Sequence, residues 1–137
     1  MKKMLGLLAA LLACTLLAFN AHARGGVPVA DFENLPALTA SGQPASAAQI
    51  KAGIMAAGPH HGWIITAPAA DRMQASLNVR GKHTVVTEIF YKPGQYSVKY
   101  KDSSNMNFDP SARSIHPKYN QWVQGLVEDI RAEVARR

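Results

Sequence analysis

The stretch from Met73 to Lys101, MQASLNVRGKHTVVTEIFYKPGQYSVKYK, decides how the chain folds. From Met73 to Arg80 apolar and polar residues alternate strictly, which is the period of a strand with one buried and one wet face. Arg80-Gly81-Lys82 supplies a turn. His83 to Tyr91 is then β-branched and aromatic, with Val85, Thr87, Ile89 and Tyr91 on one side and Thr84, Val86, Glu88 and Phe90 on the other. Lys92-Pro93-Gly94-Gln95 carries Pro and Gly at the central positions of a type II turn. Gln95 to Lys101 alternates again, placing Tyr96, Val98 and Tyr100 inward and Ser97, Lys99 and Lys101 outward. Turns this short join antiparallel neighbours, so the segments form a meander and not βαβ units.

Upstream, Trp63-Ile64-Ile65-Thr66 reads as a short buried strand ended by Pro68. Before it, Ser46 and Gln49 have the spacing of a capping box, Ile50, Ile54 and Ala57 form a narrow apolar stripe, and Gly58-Pro59 is expected to stop the helix Ala47 to Ala57 with a C′ glycine. Downstream, Asp102 to Asn107 is expected as a polar loop. Pro117 suits the first turn of a helix, His116 its N-cap, and Tyr119, Trp122, Val123, Leu126, Ile130 and Val134 recur at helical spacing. Arg131, Arg136 and Arg137 sit toward the negative end of that helix dipole. The order α-β-β-β-β-α predicts an α+β two-layer sandwich over residues 46–137: a four-stranded antiparallel meander with an N-terminal and a C-terminal helix on one face. Residues 24–45, punctuated by Gly25, Gly26, Pro28, Pro36, Gly42 and Pro44, read as an extended arm with room for an edge strand around Val27 to Phe32.

The chain of 137 residues, 47% hydrophobic and 18% charged, suits one packed domain and excludes disordered and fibrous classes. Met1-Lys2-Lys3 is a positive start, Met4 to Phe19 is uncharged and apolar, and Ala21-His22-Ala23 is a small-x-small triplet, so residues 1–23 read as a secretory signal cleaved after Ala23. Leu11-Leu12-Ala13-Cys14 loosely matches a lipobox. Because Thr15 to Phe19 continues the apolar run past Cys14, the cleaved soluble form is preferred, and membrane contact is expected only if Cys14 carries lipid. Cys14 is the one cysteine, so the processed chain has no disulfide or thiolate chemistry. With Lys2 and Lys3 removed, 13 basic residues face 9 acidic ones for a net charge of +4. That balance suits anionic glycans or headgroups and is no argument for nucleic acid.

Nothing in the sequence names a reaction. His60, His61, His83 and His116 show no His-x-His, His-x3-His or cysteine ligand spacing, so no metal and no cofactor is expected. No serine sits in a nucleophile elbow, and Glu128 and Asp129 read as a solvated helix face. Two candidate surfaces remain. Arg72, Arg80, Lys99 and Lys101 are expected to share the wet sheet face, either as a solubilising surface or as a dock for an anionic glycan, a headgroup or a partner protein of the envelope. Asp102, Ser103, Asn105, His116 and Asn120 form either a structural joint between strand and helix or a shallow polar pocket. The leading expectation is a non-enzymatic binding module. The alternative is a small envelope enzyme or metal-binding protein using His116 with Asp102 or Asp109.

Tyr100-Lys101-Asp102-Ser103-Ser104-Asn105 followed by Ile115-His116-Pro117-Lys118-Tyr119-Asn120-Gln121-Trp122 carries a resemblance. It resembles the C-terminal signature of a family of small, mostly uncharacterised proteobacterial envelope proteins and lipoproteins: Tyr-x-Asp-Ser-x-Asn, then Ile-His-x-x-Tyr-Asn-x-Trp opening a helix. Gly62-Trp63 after an Ala-rich helix also fits, so the likeness spans roughly Val27 to Ile130. The resemblance implies export to the periplasm and an α+β fold, and it supplies no activity.

Overall fold

The structure, a computed structural model, describes residues 26–137; the expected export segment, with Cys14, lies outside the described residues. In chain order the elements are β1 (Val27–Pro28), β2 (Phe32–Pro36), α1 (Ala47–Ala57), a 3-10 turn (Gly58–His61), β3 (Ile64–Ala69), β4 (Arg72–Val79), β5 (His83–Lys92), β6 (Gln95–Ser104), β7 (Ser114–Ile115) and α2 (Pro117–Val134). The class is α+β. The main sheet is antiparallel, in the order β2-β6-β5-β4-β3, and its inner face shares one core with the buried stripes of both helices. Among the described residues no helix is long and apolar enough to cross a membrane.

The sheet has five strands and not the expected four. The addition is β2, from the stretch read as an arm, which pairs with β6 through Phe32↔Val98 and Leu35↔Tyr96. Its pattern is hidden because Asn34 adopts φ 53 inside a bulge and Pro36 ends the strand. Only an edge strand tolerates both irregularities. The first two paired residues, Val27 and Pro28, join a separate small ladder with Ile115 and Ser114 of β7.

Two further strands depart from expectation. β6 continues to Ser104, because Thr87 pairs with Tyr100 while Val86 pairs with Asp102, leaving Lys101 as the extra residue of a bulge. Asp102 therefore shares the outer face with Val86, and Ser103 the inner face with Val85. β3 is neither fully buried nor ended by Pro68: it is the other edge, Ile64 is 68% exposed, and Pro68 lies in a bulge between Thr66 and Ala69. The meander itself keeps the read alternation, with Met73, Ala75, Val85, Ile89, Tyr96 and Val98 buried.

Both helices start as their caps dictate. The Gln49 amide donates to Ser46 Oγ at 3.1 Å and the Ser46 amide to Gln49 Oε1 at 2.9 Å, while the Lys118 amide donates to His116 Nδ1 at 3.1 Å. Gly58 is right-handed, φ −48, and not the left-handed stop expected there; the chain adds the 3-10 turn and reverses at Gly62, φ 83. Ile50, Ile54 and Ala57 of α1 pack with Tyr119, Val123, Leu126, Ile130 and Val134 of α2 in the same core. The helices approach closely at Gly53, where a Cβ would stand 2.5 Å from Val134 Cγ2. The hydroxyl of Tyr96, a buried residue near the start of β6, donates to the Val127 carbonyl at 3.0 Å and ties α2 to β6.

Gly53→Ala is therefore expected to lower stability by about 1–3 kcal/mol through overpacking, with Val134→Ala in the same chain restoring part of the loss. Urea denaturation of the single and double variants checks this, and an unchanged single variant would contradict the close approach. Burial also pushes the Tyr96 phenol up to about 12. Between its ordinary value near 10 and about 12, the unfolded chain releases a proton that the folded chain keeps. The stability Tyr96 contributes is thus fully present below that window and is lost as pH rises through it. Urea midpoints measured across the window are expected to fall more steeply for the native sequence than for Tyr96→Phe.

Candidate functional site

The β4–β5 turn has positive φ at both central residues, Arg80 at 57 and Gly81 at 67, and the Lys82 amide donates to the Val79 carbonyl at 3.1 Å. This is the primed geometry that matches the twist of a hairpin. Asn105, also left-handed, reverses the chain after β6 and binds the turn: its Nδ2 donates to the Lys82 carbonyl at 2.6 Å, and its own carbonyl accepts from His83 Nδ1 at 2.8 Å. Met106 is buried next to it, and its carbonyl accepts from the His116 amide at 2.8 Å. These bonds bring the end of β6, the β4–β5 turn and the start of α2 to one place.

A cleft of about 300 Å³ opens there, floored by Val79, Met106 and Trp122 and rimmed by Arg80, His83, His116 and Lys118. Among the described residues no carboxylate lines it, and neither Arg80 nor Lys118 has a carboxylate within ion-pair distance. The imidazoles differ in their free nitrogens. His83 donates through Nδ1 to a carbonyl, which leaves Nε2 as the acceptor of the neutral ring; His116 accepts at Nδ1, which leaves its proton on Nε2.

The basic sheet face is not assembled as expected. Lys99 Nζ lies 2.7 Å from Glu33 of β2, Lys101 Nζ 3.3 Å from Glu88, and Arg72 Nη1 3.7 Å from the same Glu88. The Lys99 ammonium, hydrogen-bonded to Glu33, holds that carboxyl below the usual range, and the Lys99 pKa rises for the same reason. Arg80 is absent from this face because β4 ends at Val79 and the left-handed turn carries the arginine to the cleft.

The strand-to-helix candidates also separate. Asp102 accepts from the Ser103 amide at 2.8 Å on the outer face, and Ser103 Oγ meets the Tyr100 hydroxyl at 2.8 Å. Tyr100 stacks on Phe108 at 4.3 Å and meets Tyr119 edge-on at 5.4 Å, so the signature aromatics form the joint. Asn120 acts as a peptide mimic, accepting from the Ala30 amide and donating to the Pro28 carbonyl, both at 2.9 Å. His116 alone of the five lines the cleft, while Asn105 braces it from behind. Asp109 accepts from the Ser111 hydroxyl and from the Ser111 and Ala112 amides, bonds that hold its carboxyl below the usual range. Among the described residues no three His, Cys, Asp or Glu side chains gather as metal ligands.

No protein-family model, curated protein or solved structure matches the chain. Function has to be read from the site itself.

The histidine pair of the 3-10 turn has partners on α2: His60 Nε2 lies 3.1 Å from Glu133, and His61 Nδ1 2.7 Å from Asp129. Asp129 is thus a fastening and not the plainly solvated residue expected. Sequence reading missed Lys118 and His83 as cleft residues. The available signal was two basic clusters at element ends, Arg80-Gly81-Lys82-His83 and His116-Pro117-Lys118. Asn120→Ala is expected to cost about 1–2 kcal/mol by freeing the Ala30 amide and the Pro28 carbonyl. Faster hydrogen exchange at Ala30, with the α2 core amides kept protected, checks this role; unchanged exchange would contradict it.

Proposed function

We propose that the protein is an exported, non-enzymatic binding module that takes an anionic ligand in the cleft between the β4–β5 turn and the start of α2. The charge of the cleft carries this reading: Arg80 and Lys118 converge on it beside the imidazoles of His83 and His116, without a carboxylate among the described residues. Cations gathered without a counter-charge repel one another, and a bound anion turns that repulsion into attraction. A guanidinium presents a fork of donors suited to phosphate or carboxylate oxygens, and the His116 Nε2–H adds a neutral donor.

Backbone strain points the same way. Arg80 is held at φ 57, where a side-chain-bearing residue is disfavoured by about 1 kcal/mol relative to glycine. An arginine kept in a turn that glycine would fit better is consistent with a need for its head group. Export is read from the positive start, apolar run and Ala21-His22-Ala23 triplet. An envelope compartment supplies anionic glycans, headgroups and small acids. The alternative, catalysis or metal binding by His116 with Asp102 or Asp109, is less supported because each carboxylate binds its own neighbouring amides.

Arg80→Gly is expected to keep or raise the melting temperature. Combined with Lys118→Gln, it is expected to weaken inorganic phosphate binding at least about tenfold, the worth of one hydrogen bond to a charged group. Amide chemical-shift titrations at low salt measure this, with Lys99→Gln/Lys101→Gln as the comparison. Loss of binding in the sheet-face variant, with none in the cleft variant, would sink the proposal.

A further inference from the structure

A second concavity of about 500 Å³ adjoins the cleft and shares Val79, Arg80 and Trp122 with it. Its wall is chiefly apolar, from Trp63, Leu77, Val79, Trp122 and Gly125. Two of its polar members are engaged inside the protein: Asn78 accepts from the Gly81 amide and donates to Thr84 Oγ1, and His61 is bound to Asp129. The two concavities therefore meet at Val79, Arg80 and Trp122, with His83, His116 and Lys118 on one side and the mainly apolar wall on the other.

Gly125 is the independent sign that this depression is kept open. It stands in the interior of α2, where glycine is disfavoured by about 1 kcal/mol relative to alanine. Gly53 and Gly58 have a packing reason, since a Cβ there would strike Val134 or Ile65 at 2.5 Å. Among the described residues a Cβ at Gly125 meets no atom within 4 Å, so no packing contact there requires the glycine. What its missing side chain leaves free is the wall of the groove.

We propose that the cleft and the groove form one site for a small amphiphilic anion, a phosphate or carboxylate head on a single apolar chain, taken from solution and not from a bilayer surface. The proposal rests on the anion-binding reading above and deepens it. The head sits among Arg80, His83, His116 and Lys118; the chain runs along Trp122 toward Gly125. Both volumes fall in the range of roughly 300–1,000 Å³ in which pockets enclose one small molecule. The asymmetry favours one polarity of the ligand, because Arg80 and Lys118 meet only at the cleft end, where together they repay the desolvation of an ionised group.

The chain holds two tryptophans, Trp63 and Trp122, and both line the groove, so intrinsic fluorescence reports occupancy directly. The titrants are monomeric octyl phosphate, inorganic phosphate, octyltrimethylammonium and phosphatidylglycerol vesicles. Each buried methylene is worth about fourfold in affinity, so three or four of them predict octyl phosphate binding about a hundredfold tighter than inorganic phosphate. The octyl cation, with the same chain and the opposite head, is expected to leave the emission unchanged. Gly125→Met, whose Cβ meets no atom within 4 Å among the described residues, is expected to keep or raise the melting temperature and to remove most of the octyl advantage. If octyl phosphate binds only as well as inorganic phosphate, the groove proposal falls and the anion-binding reading stands. If neither phosphate binds, both fall. Vesicle binding tighter than that of octyl phosphate would overturn the solution-ligand proposal alone.

Discussion

The reversal at Asn105 is the constraint on which the functional end of the molecule depends. A strand that ends in a left-handed asparagine must turn away from the sheet, and this one turns onto the neighbouring hairpin, donating to the Lys82 carbonyl and accepting from His83. Asparagine is the side-chain-bearing residue best suited to that backbone, and its amide supplies the donor that the reversal needs. Met106 is thereby driven into the core with its carbonyl placed to receive the His116 amide, which sets where α2 begins. The cap then follows from the same residue, as His116 Nδ1 takes the Lys118 amide. Strand end, turn and helix start are linked by short bonds of which only the cap belongs to a regular element.

Electrostatics then distinguishes two basic surfaces that look alike in composition. On the outer sheet face Glu33 and Glu88 sit among Lys99, Lys101 and Arg72. Exposed pairs of this kind add little stability, roughly 0–1 kcal/mol each. They matter for binding because an incoming anion has to compete with a carboxylate already in place. At the cleft no such competitor exists among the described residues, and the low wall formed by Met106 and Trp122 reduces solvent screening of whatever is held there. Arrangement, and not the count of lysines and arginines, therefore favours the cleft.

Much of the fold was legible because its local signals agree with one another. The alternation from Met73 to Tyr100, the Ser46–Gln49 box and the His116-Pro117 cap all predict what is found. Illegible parts share a cause: they depend on a partner far along the chain. β2 is a strand only because β6 offers an edge, and its Asn34 and Pro36 argue against a strand locally. The bulge at Lys101, which moves Asp102 and Ser103 out of the supposed loop, is set by the register against β5. Arg80 was singled out through alternation carried one residue too far; a turn beginning at Val79 puts it at the end of the sheet and not on its face. Lys118 drew no attention because a lysine in the first turn of a helix is unremarkable until the β4–β5 turn is seen beside it.

Residues that satisfy local rules say how the chain folds; residues that break them without need are more informative about use. Gly62 and Gly94 fill left-handed turns, and Gly53 and Gly58 yield to neighbouring side chains, so their identities follow from the fold. Arg80 and Gly125 do not. One puts a side-chain-bearing cation where glycine relaxes the backbone, and the other puts glycine where almost any residue would strengthen a helix. Each departure costs on the order of 1 kcal/mol, a sizeable share of the few kcal/mol by which a domain this small exceeds unfolding. Both line the same groove, Arg80 at its charged end and Gly125 on its wall, and the two substitutions that would most simply stabilise the protein would discharge one end and narrow the other. Sites at which stability is forgone in this way are where function is expected to reside.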